Sequence, residues 1–269
     1  LTGVQLQMHS QVDAKQFPEI PGCDVRTLLG RGGMGDVYLA WQHGLEREIA
    51  IKVLPPSACR EGNAQARFSR EVSALGRLNH PGIVTAFDAG ECNGVHYLLM
   101  EYVDGNDLAK IVSSHGPLSI ANASEVIRQA AAALQCAHEN QLVHRDLKPS
   151  NLMVTRSGEV KILDLGLAKL RTSNNKGDEI TDSLQMLGTV DYMAPELADR
   201  HNSADIRSDI FSLGATLFEL LTGRSPLEAA GNSTAMQKLT ALALCKLPAT
   251  REIRQDIPKA LATIIDRML

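Results

Sequence analysis

The sequence predicts an α+β chain in two lobes, a small β-rich first lobe and a larger, mainly helical second lobe. Two patterns and one hairpin predict it. Short runs of β-formers broken by glycine and asparagine turns predominate from Cys23 to Glu101, and long runs with apolar residues every three or four positions dominate after it. Within the second part, the runs Leu152-Met-Val-Thr and Val160-Lys-Ile-Leu, with Ser157-Gly158 midway, read as a β-hairpin. A chain of 269 residues, 44% apolar and 22% charged, can bury cores of that size.

Bulk properties exclude several classes. A net charge of −4 gives no basic footprint, so nucleic acid is not an expected partner. Cys23, Cys59, Cys92, Cys136 and Cys245 are scattered, odd in number and without a Cys-x-x-Cys pair, against both a disulfide framework and a zinc site. A reducing, cytoplasmic setting follows as the expectation. The apolar stretch from Ile206 to Leu221 carries Arg207, Asp209 and Glu219, and no membrane segment or signal peptide is visible. The chain starts at Leu1 rather than methionine and stops inside an apparent helix, which reads as a fragment.

In order, residues 1–21 are polar and unpatterned, closed by Pro18 and Pro21, and read as a mobile leader. Two β-type runs between Cys23 and Gln42 flank glycines at 30, 32, 33 and 35, the second alternating from Val37 through Leu39 to Trp41. A strand after the glycines argues against a dinucleotide-binding turn, which needs a helix there. Glu48-Ile-Ala-Ile-Lys-Val-Leu54 reads as a central strand with Lys52 largely buried, where a lysine needs a partner. Phe68, Val72 and Leu75 predict a helix over Asn63–Leu78, with Glu71 bordering its buried face and Arg67 as an alternative partner for that glutamate. Runs at Ile83–Ala89 and His96–Glu101 add two strands around a turn at Gly90–Gly94, for a sheet of about five strands with one main helix.

The second part opens with an amphipathic helix from Ser119 to Asn140, whose Ala123, Ile127, Ala130, Leu134 and Ala137 face a core behind the capping Ser119. If the hairpin turn centres on Ser157-Gly158, facing positions sum to about 315, and Asn151 meets Asp164. An amide oxygen and a carboxylate at a hairpin mouth make a hard-oxygen site that suits Mg²⁺. Asp146 lies just upstream, placed to take a hydroxyl proton, and Lys148 offers positive charge. His144 is expected to pack and hydrogen-bond. From Asp164 to Glu196 the chain has no period, and a connection that long is more often functional than idle. The stretch from Asp209 to Gly223 is apolar nearly all round and predicts a buried helix ending at a glycine.

His144-Arg-Asp-Leu-Lys-Pro-Ser-Asn151 and Asp164-Leu-Gly166, with the earlier glycines and Lys52, resemble the catalytic loop, metal-binding loop and nucleotide loop of protein kinases, and Gly-Arg-Gly-Gly-Met-Gly looks like the bacterial serine/threonine branch. The resemblance covers Cys23 to Leu269. It implies a bilobal protein-kinase-like fold, with a leader at 1–21, an N-lobe at 22–103 and a C-lobe at 104–269 that is incomplete at its C-terminus. It implies ATP held under Leu29, Gly30, Arg31, Gly32, Gly33, Met34, Gly35 and Val37, with Ala50, Met100, Glu101, Val103 and Met153 around the adenine and Asp104-Gly105 as a hinge. Lys52 would hold the α- and β-phosphates in an ion pair with Glu71. Asn151 and Asp164 would hold Mg²⁺, or Mn²⁺ in its place, Asp146 would orient the acceptor hydroxyl, and Lys148 would offset charge on the transferred group. Arg145 would bind a phosphate on the long segment, with Thr181 and Ser183 as phosphosites ahead of Thr172, Ser173 and Thr189, the last of which would rather join the substrate platform, hydrogen-bonded to Asp146 and Lys148. Asp209 would brace the catalytic loop. The implied substrates are proteins, a homodimer through the N-lobe is an implied partner, and bacterial relatives often continue into a membrane anchor.

Two departures stand out. Leu165 occupies the position where the family more often has phenylalanine, which keeps the metal ligand and alters only the packing behind it. The family also pairs the glutamate of Ala-Pro-Glu, here Glu196, with an arginine, and Arg267 comes too early for that role, so Glu196 is expected to lack this partner. Two other functions are open to the residues. A nucleotide-binding scaffold without catalysis is disfavoured because no catalytic position is lost, and a small-molecule phosphotransferase gives no reason for the long segment ending in Ala-Pro-Glu.

Overall fold

Alternating β-branched and aromatic positions build the first part of the chain as an antiparallel sheet. The computed structural model describes residues 17–32, 35–54, 72–165, 190–198 and 204–269. The strands are β1 (Cys23–Gly32), β2 (Gly35–Gln42), β3 (Arg47–Val53), β4 (Ala86–Cys92) and β5 (Val95–Glu101), in the spatial order β1-β2-β3-β5-β4. β3 is central, and its period of two sends residues to different cores. Ala50 joins Leu98 and Met100 on the inner face, while Ile49 and Ile51 join Ala40 and Leu99 on the outer one. Ile20 closes that outer face and is itself buried, so the end of the stretch read as a leader is packed against the sheet. Of the expected helix over Asn63–Leu78, residues 72–75 are described and are helical.

The strands expected at Ile83–Ala89 and His96–Glu101 are displaced. Asn93 and Gly94, at φ 52° and 77°, form a two-residue turn between β4 and β5, and Gly90 lies inside β4. Paired left-handed residues match the twist of an antiparallel hairpin, which is why Asn-Gly rather than Gly90 sets the register. Ile83 falls outside β4 and bridges Ile162 in parallel, joining the sheet to the second part of the chain.

That second part carries a smaller sheet, β6 (Gly105–Asp107), β7 (Leu152–Thr155) and β8 (Val160–Ile162). Among the described residues its helices are α1 (Leu108–His115), α2 (Ile120–Glu139), α3 (Ile206–Thr222), α4 (Pro226–Ala229), α5 (Ala235–Ala243), α6 (Thr250–Ile253) and α7 (Lys259–Met268). Ser119 caps α2 by accepting from the Asn122 N–H, and the alanine-rich face from Ala123 to Ala137 is buried as its spacing requires. α3 begins one turn earlier than expected because Asp205 caps it, and ends at Gly223 with φ 80°. It is buried nearly all round, between α2 and α7. At Gly214 the end of α7 comes so close that an added Cβ would lie 2.7 Å from the Met268 Cβ.

Gly214→Val therefore overpacks the α3–α7 contact. We expect a stability loss of about 1–3 kcal/mol in chemical denaturation, after the small helix-propensity change is allowed for. An unchanged denaturation midpoint would mean that α7 is not seated on α3.

Candidate active site

Turn chemistry decides where the site residues of the hairpin fall. The Thr155 N–H donates to the Glu159 carbonyl and Gly158 adopts φ 87°, so Arg156, Ser157 and Gly158 form a three-residue loop. The pairs Leu152↔Ile162 and Met153↔Lys161 follow. The centre of the turn is therefore half a residue earlier than expected, and Asn151 faces Leu163, whose N–H donates to the Asn151 carbonyl at 2.9 Å. Asp164 is the next residue, turned by a left-handed φ of 56°.

Upstream, α2 hands the chain to a loop with almost no freedom. His144 is fully buried, and its Nε2 lies 2.8 Å from the Leu163 carbonyl. Its Nδ1 accepts the Asp146 N–H at 3.3 Å, so the ring proton belongs on Nε2 and is donated to Leu163. His144 is thus a structural tie between the loop and the hairpin, as expected. Asp209, on the first turn of α3 and wholly buried, receives the backbone N–H groups of His144 at 2.8 Å and Arg145 at 2.9 Å, together with His138 Nε2 at 2.8 Å. A buried carboxylate survives only with such a set of donors. Arg145 needs the brace, because its φ of 71° is costly for a residue with a side chain. His138 was invisible as a site residue: a polar position in the last turn of an amphipathic helix carries no signal of its own.

Within the braced loop, Asp146 is buried and lies 2.9 and 3.1 Å from Lys148 Nζ through its two carboxylate oxygens. Asn151 donates its amide nitrogen to the Asp146 carbonyl at 2.7 Å, which leaves the amide oxygen as the end available to a cation. Across the cleft, Lys52 is 1% exposed and its Nζ lies 2.6 Å from Asp164 Oδ1. Lys52 and Asp164, 112 positions apart on the sequence scale, thus join the upper sheet to the hairpin mouth. Asn151 and Asp164 offer an amide oxygen and a carboxylate, a donor set that fits Mg²⁺ or Mn²⁺ and leaves the remaining positions for water and ligand oxygens.

The apolar wall above is partly assembled. Ala50 pairs with Met100 across β3 and β5, Val37 pairs with Lys52 across β2 and β3, and Val103 is buried beside the strand end. The Glu101 side chain is engaged elsewhere, by Lys161 at 2.5 Å and the Thr85 N–H at 3.3 Å, and its own N–H donates to the Thr85 carbonyl. Any bond from Glu101 to a ligand edge therefore uses its carbonyl. Met153 is half-buried on β7 and Leu29 is exposed on β1. In the roof, Gly30 pairs with Val37 and Gly32 with Gly35. Arg31 lies 3.7 Å from Asp36. Gly35 is obligatory: at φ 110° an added Cβ would lie 1.9 Å from the Val53 carbonyl. Behind Met100, a cavity of about 20 Å³ reaches Asp164 between Leu75, Leu98 and Ile162. A larger one, about 390 Å³, lies between Val72, Gly76 and β4, with neither Asp146 nor Asp164 in its wall.

Gly33, Met34, Glu71, Thr172, Ser173, Thr181, Ser183 and Thr189 lie outside the described residues. Leu165 is buried in the main core, the packing role expected of it. Glu196 does find a partner, since Ser208 Oγ donates to its carboxylate at 2.8 Å, an interaction the motif-based expectation lacked.

A protein kinase domain model matches residues 23–269. The serine/threonine-protein kinase PknB of Mycobacterium tuberculosis is 42% identical over 207 residues, which is 76% of this chain and 33% of PknB. PrkC of Bacillus subtilis, also a serine/threonine-protein kinase, is 38% identical over 242 residues, 90% of this chain and 36% of PrkC. The chain thus spans about a third of the length of these curated relatives. A crystal structure of the Mycobacterium tuberculosis PknI kinase domain superposes with a TM-score of 0.70 at 27% identity, covering 93% of this chain and 87% of that one. Sequence and fold agree over nearly the whole length, and the chain belongs to the protein kinase family.

Proposed function

We propose that the chain is a serine/threonine protein kinase, transferring the γ-phosphoryl group of ATP to hydroxyl groups of proteins. The single observation that carries this reading is the buried Lys52 ammonium held 2.6 Å from Asp164 at the hairpin mouth. A buried cation opposite a carboxylate and an amide oxygen is arranged to meet a polyphosphate and its counter-ion, and a scaffold has no need of that cost.

Phosphoryl transfer leaves little covalent work to a protein, so positioning and charge carry the rate. In this reading Leu29 to Val37 cover the nucleotide, with Ala50, Met100, Glu101, Val103 and Met153 around the base. Lys52 turns to the phosphate oxygens and takes Glu71 as a second partner. Asn151 and Asp164 hold the divalent cation, Mg²⁺ or Mn²⁺, which when bound supplies positive charge to the phosphate oxygens. Asp146 accepts a hydrogen bond from the acceptor hydroxyl at its carboxylate and takes the proton as the oxygen is phosphorylated. Lys148, already against Asp146, offsets the negative charge of the transferred group. Thr189 orders the acceptor side, and Arg145 pairs with a phosphate placed on Thr181 or Ser183. The lobes divide at residue 103, after the last strand of the larger sheet.

Three outcomes test this. Incubation with labelled ATP and Mg²⁺ should give label transfer to protein, reduced by about 10²–10⁴-fold in Asp146→Asn, because that change removes the proton acceptor with little change in shape. Lys52→Met should abolish transfer to a similar degree, and full transfer in both variants would sink the assignment. Mass spectrometry of the autophosphorylated chain should place phosphate on the segment between Asp164 and Glu196, Thr181 and Ser183 first, and phosphate confined to other regions would remove that segment from the regulation. For Asp209→Asn, which keeps the size but replaces one acceptor with a donor, we expect a loss of about 2–4 kcal/mol and a parallel fall in turnover. Wild-type turnover in that variant would show that the loop holds itself.

A further inference from the structure

Away from the cleft, a second buried lysine has no role in the reading above. Lys238, on α5, is 5% exposed, and its Nζ lies 2.6 Å from Asp191 Oδ2 and 3.5 Å from Glu228 Oε1. Asp191 is 7% exposed, and its other carboxylate oxygen accepts Ser225 Oγ at 2.6 Å. Ser225 in turn caps α4 in a reciprocal box with Glu228. One buried carboxylate thus joins the stretch around residue 191 to the start of α4 and the middle of α5.

The same stretch is gripped on its other sides. The Tyr192 hydroxyl donates to Glu219 on α3, and the Tyr192 carbonyl accepts Ser212 Oγ at 2.7 Å. Val190 packs against Leu227 and Ala241, and Ala194 against Phe211 and Leu242. Apolar contacts alone hold a segment with some freedom to slide. A buried ion pair fixes direction and distance, although an apolar pair of the same shape is commonly as stable or more so. What Lys238 adds here is therefore placement. Its bonded partners include none of the groups assigned to nucleotide or metal.

We propose that Lys238 is a positioning residue for the protein acceptor: through Asp191 it fixes residues 190–194, the stretch that directly follows Thr189, which the proposed function assigns to the acceptor side. The inference rests on the kinase reading and deepens it. Acceptor binding depends on where this stretch sits, while nucleotide binding depends on Lys52, Asn151 and Asp164, which the pair does not touch.

The test uses the chain with dephosphorylated casein as acceptor, measuring KM for casein, KM for ATP and ATP hydrolysis without acceptor. In Lys238→Met the KM for casein should rise about tenfold, with KM for ATP and acceptor-free hydrolysis within about twofold of wild type. Lys238→Arg, which keeps a cation at that position, should recover most of the loss. If Lys238→Met does not fold, the double variant Asp191→Asn with Lys238→Met removes both charges together and should show the same split. An unchanged KM for casein in a folded variant overturns the proposal, as does a fall in acceptor-free hydrolysis parallel to transfer, which would mark a merely structural role. A wild-type chain that hydrolyses and transfers nothing overturns the kinase reading as well, so the two failures are distinguishable.

Discussion

The Asp209 carboxylate takes three hydrogen bonds at the buried start of α3, two from the backbone at His144 and Arg145 and one from His138. The start of the loop that follows α2 is tied to α3 through it. The loop would not keep a left-handed arginine at 145 unaided, and without that turn Asp146 would not face Lys148 and Asn151. The carboxylate in turn depends on α3, which is apolar nearly all round and is held in place by α2 and α7. The charge and the helix that carries it support each other: the helix shields the charge, and the charge orders the loop beside it.

Above the loop, the same economy governs β3. One strand buries Ile49 and Ile51 in the outer core and Ala50 in the inner one, and places Lys52 where it cannot reach bulk water. The ammonium is therefore committed to an anion inside the cleft. Among the described residues that anion is Asp164. In the proposed function a ligand phosphate would take the place of that carboxylate, so the ammonium need not return to water between partners. The inner core also spans the two sheets, since Leu98 and Met100 share a cluster with Leu152 and Ile162. The bridge from Ile83 to Ile162 and the ion pair between Lys161 and Glu101 reinforce that link at the strand ends.

Local chemistry made much of this legible. Lys52 on a buried central strand, the capped helix after Ser119 and the buried helix ending at Gly223 all follow from residue type and spacing over a few positions, and each is found. Where local signals competed, the nearest strong turn won. Asn93-Gly94 outranked Gly90, and the left-handed Gly158 added a third residue to the hairpin loop, moving Asn151 from opposite Asp164 to opposite Leu163. Asp164 lies one residue beyond that pair and turns at once, at φ 56°.

By itself, the sequence determined the kinds of element and the candidate residues of the cleft, since these are written in runs and motifs a few residues long. Only the tertiary structure decided which distant groups meet. His138 and Asp209 are 71 positions apart, and Lys238 and Asp191 are 47 apart. No period or motif connects such pairs. Their contact is fixed by how helices pack and by the cost of leaving a buried charge alone, and both of those exist only once the chain has folded.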